Sequence, residues 1–322
     1  MIITKTPLRI GFVGGGTDIP AYYRKYTGSL ISAAINKYIY IIVNKKFDSK
    51  IRVSYSTTEI VDTVDQIKHP SVREAMKLLE IDGGIEVLSI SDIPSQGTGL
   101  GSSSTFLVGL LNALHAYKSE YASKEQLAKE AIKIEREILN EAGGKQDQYM
   151  ASYGGINLLT FNKNESVFVS PVSLDIDKLE KLKSHMAFYY TGISRQSSNI
   201  HVDMEKKINE HLDAYHKMKD LSKDFFNALY TNDINKLGQI LNENWKLKKS
   251  QSEKISTDFI DNLYNKALSF GAMGGNLIGA GGGGFFVFVI DSENKKKLNA
   301  LNLREIKFDF DFEGSRIIYF SE

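Results

Sequence analysis

A chain of 322 residues with 42% hydrophobic and 25% charged side chains has ample apolar material for a buried core and is long for one compact unit, which points to two domains. With 40 basic against 39 acidic side chains, no overall field draws it to nucleic acid or to an anionic membrane, so an anionic substrate has to be met by local donors. The lack of cysteine excludes disulfides and thiolate metal sites, and no apolar run approaches the length of a membrane span. Residues 1–16 lack the pattern of a signal peptide, so a cytoplasmic protein is expected.

In chain order, residues 8–13 read as a strand running into Gly14-Gly15-Gly16-Thr17-Asp18, with further strands over 38–45 and 51–55. A strand over 84–91 leads to Pro94, a Gly/Ser-rich loop and an apolar-faced helix starting near Ser102. A second helix is expected from Ser123, with Ser123 and Gln126 as a capping box, to Gly143-Gly144. Strands over 156–161 and 187–191 precede a long helical region, about 200–270. A glycine-rich turn, a strand over 285–290, a short helix near 295–301 and two strands complete the chain. In the first of these two, Ile306, Phe308, Phe310 and Phe312 alternate with charged residues, the period of a half-buried antiparallel strand. The pattern is α+β in two lobes, divided between about Asn162 and Ser184, giving domains 1–170 and 171–322.

Residues 94–105 read Pro-Ser-Gln-Gly-Thr-Gly-Leu-Gly-Ser-Ser-Ser-Thr. Gly97, Gly99 and Gly101 let the backbone of this loop, with Thr98 and Leu100, approach a bulky anion closely. Ser102, Ser103 and Ser104 stand where a helix begins, whose free N–H groups and dipole favour phosphate, and a serine hydroxyl there can ligate Mg²⁺. Ser102 follows Gly101 where a Walker loop needs lysine, so this is a different phosphate loop. The cluster from Gly279 to Gly284 meets the G-x-G-x-x-G spacing, but a strand-like run follows where a dinucleotide fold needs a helix, which disfavours a nicotinamide oxidoreductase.

Glu135 falls among Ala128, Ala131, Ile132, Ile138, Leu139 and Ala142 on one side of the second helix, so its carboxylate needs a partner, either Mg²⁺ or an arginine. Asp147 follows a Gly-Gly-Lys-Gln run and by itself reads as a loop aspartate making a turn. The 6 histidines show no metal-ligand spacing; His201, His211 and His216 read as faces of the helical region.

The three glycine clusters, in this order over essentially the whole chain, resemble the galactokinase, homoserine kinase, mevalonate kinase and phosphomevalonate kinase (GHMP) family. The first motif is Pro7-Leu8-Arg9 leading to Asp18, the central one runs from Pro94 to Ser103, and the third from Gly271 to Gly284. The resemblance implies a ribosomal-protein-S5-like N-terminal lobe, a ferredoxin-like C-terminal lobe and an ATP- and Mg²⁺-dependent kinase. It implies that Asp147 faces the acceptor hydroxyl, that Arg9 stands where several members carry a lysine near the transferring phosphoryl, and that Ser103 and Glu135 hold Mg²⁺. Thr17, Asp18 and Gly155 would face the substrate, and Gly279, Gly281, Gly282 and Gly283 would form a structural turn.

Within the family, the segments from Gly143 to Tyr149 and from Tyr190 to Arg195 are most similar to D-glycero-D-manno-heptose 7-phosphate kinases, which phosphorylate the anomeric hydroxyl on the route to GDP-heptose and surface polysaccharides. Arg195 is then the candidate for the acceptor's phosphate, with Lys145 and Arg24 behind it. A kinase for fucose or a related hexose, and a non-catalytic sugar sensor of the same fold, are the alternatives. The expected partners are ATP and a sugar phosphate, not nucleic acid or membrane, and a homodimer is compatible with the sequence.

Overall fold

The structure, a computed structural model, describes residues 1–94, 97–194 and 198–321. The chain opens with β1 (Ile2–Val13), α1 (Pro20–Tyr26) and β2 (Gly28–Lys45). Pro20 lies in the first turn of α1, where a missing N–H costs nothing. β3 (Ile51–Ser54), β4 (Thr58–Val61), α2 (Pro70–Leu78) and β5 (Ile85–Ser91) follow. Next come α3 (Ser102–Tyr117), α4 (Lys124–Ile132), which passes into a π-helical turn at Lys133–Ile138, and α5 (Gln146–Tyr153). β6 (Ile156–Phe161), β7 (Val167–Pro171), α6 (Ile176–Ser184) and β8 (Met186–Tyr190) lead to the helices α7 (Ser198–Lys207), α8 (Leu212–Thr231), α9 (Ile234–Ser250) and α10 (Asp258–Ser269). β9 (Ala272–Leu277), β10 (Phe285–Ile290), a 3₁₀ turn at Lys295–Leu301, β11 (Arg304–Glu305) and β12 (Arg316–Phe320) close the chain.

Among the described residues the strands form two sheets. The larger runs β12-β1-β2-β5-β3-β4, with β6 and β7 added from β2; the smaller runs β11-β8-β10-β9. β2 is long enough to serve two neighbours beside β1, its first residues pairing β6 and its last pairing β5. Helix α3 lies on β1 and β2. Leu107, Val108, Leu110, Leu111 and Leu114 are fully buried there, each contributing about 1.5–3 kcal/mol by leaving water. Gly109 permits the contact: a Cβ at that position would come 2.7 Å from Thr6 Oγ1, and Thr4 Oγ1 donates to the Gly109 carbonyl at 2.9 Å. The smaller sheet packs on α9 and α10 through Trp245, Tyr264, Phe286 and Phe288. No helix among the described residues is long and apolar enough to cross a membrane.

The structure departs from the sequence expectations in three places. The helix from Ser123 is capped by one bond only, Gln126 N–H to Ser123 Oγ at 3.1 Å, and its regular part stops at Ile132, where the π turn begins, well short of Gly143-Gly144. Residues 306–313 are not a strand. The Ile306 amide donates to Phe188 of the smaller sheet while Phe310 bridges Ile35 of the larger, so this segment crosses between sheets and its alternation reflects packing, not a ladder. β12 returns to pair with β1, so the last residues of the chain lie in the first sheet.

Candidate active site

Two glycine-rich backbone turns meet beside the N-terminus of α3. Gly97, Gly99 and Gly101 all take positive φ, at 69°, 75° and 78°, which the loop needs in order to expose its amides before the helix. The turn after β9 lies directly on this loop: a Cβ on Gly279 would sit 2.5 Å from Gly99 Cα, and one on Gly284 would sit 2.4 Å from the Thr98 carbonyl. Gly281 and Gly283 press in the same way on Ile255 and Ile193, and the Gly282 amide donates to the Ile255 carbonyl at 2.8 Å. The third glycine cluster therefore props the second.

Arg9 comes from the middle of β1, and its amide donates to the Leu100 carbonyl at 3.2 Å. Its guanidinium makes a fork with Asp147, Nε to Oδ1 at 2.8 Å and Nη2 to Oδ2 at 2.9 Å, while Nη1 donates to the Gly99 carbonyl. Asp147 lies in the first turn of α5, where a negative charge suits the helix dipole. Its carboxylate borders Gly101, where an added Cβ would lie 3.0 Å from Oδ2.

Glu135 sits in the π turn with its side chain only 1% exposed. Ser104 Oγ donates to both carboxylate oxygens, at 3.1 and 2.8 Å, Gln148 Nε2 donates to Oε2, and Arg136 stands 3.8 Å away. Burial raises the Glu135 carboxyl above its ordinary value, opposed by Arg136, Gln148 and Ser104. Asp18 is buried too. It accepts from the Gly16 and Gln146 amides at 3.2 and 3.1 Å, and burial raises its carboxyl against those amides. Gly144 makes room for it, since a Cβ there would fall 1.8 Å from Asp18 Oδ2.

These groups wall two adjoining cavities that share Arg9, Arg136, Asp147, His201, Gly279 and Ala280. The first cavity is completed by Gly15, Gly16, Asp18, Gln146, Asn244, Lys248 and Asn276 among others; the second, of about 210 Å³, by Gly97 to Ser104 (Leu100 apart) and Glu135. A third cavity, of about 540 Å³, lies at the far end of the loop against Ile93, Pro94, Thr98, Tyr190 and Phe285. Asn276 Nδ2 donates to the carbonyls of Gly11 and Phe12, and Asn244 Oδ1 accepts from the Gly14 amide, so α9 and β9 are tied to the end of β1 across the first cavity.

Of the expected site residues, some line these cavities and others are held elsewhere. Ser103 is exposed at the helix start and lines the second cavity; Ser104, not Ser103, bonds Glu135. Ser102 is buried beside Thr98, their hydroxyls 3.5 Å apart. Thr17 lines none of these three cavities: it is fully buried, donating to Gly14 and Ser29 carbonyls and accepting from the Ser29 amide. Gly155 is likewise spent on structure, its amide donating to Asp311 and its carbonyl accepting from Ala34. Lys145 and Arg24 both turn to Glu165, so neither lines the first cavity. Arg195 lies outside the described residues. His201, Lys248, Asn244 and Asn276 line the cavities and were not singled out in the sequence as site residues. For Lys248 a signal existed, its helical register with Leu241, Asn244 and Trp245.

Residues 67–155 match the model of the GHMP kinases N terminal domain, and residues 225–305 that of the GHMP kinases C terminal domain. A D-glycero-alpha-D-manno-heptose 7-phosphate kinase of Campylobacter jejuni is 34% identical over 98% of this chain and 97% of its own length. The L-fucokinase/L-fucose-1-P guanylyltransferase of Bacteroides fragilis is 24% identical over 88% of this chain and 34% of that protein. Among solved structures, a D-glycero-D-manno-heptose 1-phosphate kinase from Bacteroides thetaiotaomicron aligns over 100% of both chains with a TM-score of 0.85 and 27% identity.

Proposed function

Because the chain belongs to the GHMP kinase family and is an ATP-dependent sugar kinase, we propose that it transfers the γ-phosphoryl of ATP to the anomeric hydroxyl of D-glycero-D-manno-heptose 7-phosphate, giving the 1,7-bisphosphate. The relative of Campylobacter jejuni, similar over nearly the whole length, supports the sugar. The observation that carries the chemistry is the Arg9–Asp147 fork, standing where two polar cavities meet. A cytoplasmic location, where ATP is supplied, belongs to the same reading.

The amides of Gly97 to Ser104 cradle the polyphosphate in the second cavity, and the base occupies the third, whose wall joins apolar Ile93, Pro94 and Phe285 to Thr98 of the loop. The sugar occupies the first cavity, with hydroxyls on Asp18 and the reacting hydroxyl on Asp147. Asp147 orients that hydroxyl or accepts its proton, and Arg9 offers a fixed positive charge to the oxygens of the phosphoryl in flight.

The residues of the second cavity fit Mg²⁺. Glu135 and the Ser103 hydroxyl are hard oxygen donors on its wall, and the described residues hold no cluster of three or more carboxylates or histidines, in keeping with an ion bound mainly through substrate phosphates. When bound, Mg²⁺ neutralises charge on the phosphate oxygens. Ser104 and Gln148 meanwhile hold the Glu135 carboxylate in one orientation.

ADP release measured over a panel of sugars and sugar phosphates tests the assignment. Heptose 7-phosphate should give the highest kcat/KM, with a 1,7-bisphosphate as product by phosphorus NMR. Equal or better turnover of fucose or another unphosphorylated sugar would overturn the acceptor. Heptose 1-phosphate belongs in the panel, because the similar Bacteroides thetaiotaomicron protein is a heptose 1-phosphate kinase.

A further inference from the structure

Helix α9 turns a lysine inward. Lys248 stands seven residues after Leu241, four after Asn244 and three after Trp245, all buried, so the helical period points it into the protein. It is 6% exposed, and Nζ donates to the carbonyls of Leu277 and Gly279, each at 2.6 Å. Charged and titratable groups reach it from Arg9 on β1 and His201 on α7, while Asp18, Arg136 and Asp147 share the cavity wall. No carboxylate forms an ion pair with Lys248 among the described residues; the nearby Asp147 is forked by Arg9.

An amine buried against two neutral carbonyls and a guanidinium is an incomplete cation site. Burial, with Arg9 adding to it, pushes the Lys248 amine down to about 7. A neutral amine has two N–H bonds, enough for the two carbonyls; the third proton finds an acceptor only when one enters the cavity.

We propose that Lys248 is the cation that meets a phosphate monoester in the first cavity. This deepens, and rests on, the reading of the protein as a sugar-phosphate kinase. Lys248 lines the first cavity and is absent from the lining of the second, which favours the acceptor's phosphate over the nucleotide's. On binding, one proton passes from solvent to Nζ as the dianion arrives, and no covalent bond changes.

Calorimetry at pH 8 in two buffers of different ionisation heat counts that proton in the wild-type protein. At this pH a phosphate monoester, with a second pKa near 6, is already a dianion. Heptose 7-phosphate should bind with net proton uptake, and unphosphorylated heptose with none. K248M should bind heptose 7-phosphate about tenfold or more weakly and without proton uptake, while its affinity for Mg·AMPPNP stays within about twofold. If instead Mg·AMPPNP carries the Lys248-dependent proton, the phosphate Lys248 meets is the nucleotide's and the proposal is overturned. Binding of heptose 7-phosphate without proton uptake overturns the role of Lys248 and leaves the substrate reading in place, whereas a protein that binds no sugar phosphate overturns the substrate reading itself. Proton uptake by the wild-type protein in neither arm overturns the proposal, whether or not K248M folds.

Discussion

Asp147→Asn removes one charge and keeps the shape of the side chain, and the Arg9 fork sets the size of the loss. Two N–H···O bonds of 2.8 and 2.9 Å join side chains that are 8% and 25% exposed. Breaking a fully buried ion pair costs about 3–5 kcal/mol, and an exposed one less than about 1 kcal/mol. This pair is sealed on the Arg9 side alone, and Arg9 keeps its bond to the Gly99 carbonyl, so a loss of about 2 kcal/mol is expected. A typical domain has about 5–15 kcal/mol in hand, so the variant stays folded and melts a few degrees lower. Activity answers to a different quantity. A group that orients or deprotonates the attacking hydroxyl is worth about 10²–10⁴-fold, and the loss should fall on kcat with KM for both substrates little changed. Initial rates of ADP release and a thermal melt on the same preparation separate the two effects. A folded variant with kcat within about threefold of wild type would remove Asp147 from the chemistry and leave the fork a structural pair.

Glu135→Gln should raise the Mg²⁺ concentration for half-maximal turnover by about tenfold, with kcat recovering at saturating metal; an unchanged Mg²⁺ titration would move the metal elsewhere. Gly279→Ala places a Cβ 2.5 Å from Gly99 Cα at φ +80°, so it should cost about 2 kcal/mol of stability and weaken nucleotide binding, read by an AMPPNP titration. Burial lowers the His201 imidazole from its ordinary 6.5 to about 4, with Asp147 opposing. The unfolded chain therefore binds this proton below pH 6.5 while the folded chain does so only near 4, so His201 destabilises the fold as the pH falls through that window, by about 3 kcal/mol at its lower end. His201→Asn should flatten stability against pH between 6.5 and 4 in denaturant titrations, and an unaltered slope there would show that the ring titrates as it does in the unfolded chain.

The glycine loop before α3 was legible because its geometry is written in consecutive residues: glycines that take positive φ, then hydroxyls at a helix start. Glu135 was legible for a related reason, a charge on an apolar helical stripe, although the turn that carries it is π-helical and its serine partner is Ser104. Residues 306–313 misled because burial on alternate sides looks the same in a strand and in an extended crossing segment; only the pairing of Phe310 with Ile35, against Ile306 with Phe188, separates them.

The first cavity is another matter. Its wall is assembled from β1, the loop before α1, α5, α7, α9 and β9, brought together by tertiary contacts that no local pattern announces. Asn276 and Asn244 look like ordinary polar residues until their bonds to Gly11, Phe12 and Gly14 draw α9 and β9 against the end of β1. Conversely Lys145 and Arg24, chosen for charge near a motif, are satisfied by Glu165, whereas Lys248, inconspicuous in a lysine-rich helix, has no carboxylate partner among the described residues. Charge is common in sequence, but a buried charge left without a counter-ion is visible only in three dimensions. The glycine loop at the start of α3 is therefore built from a contiguous motif, whereas the wall of the first cavity depends on which side chains the fold brings together.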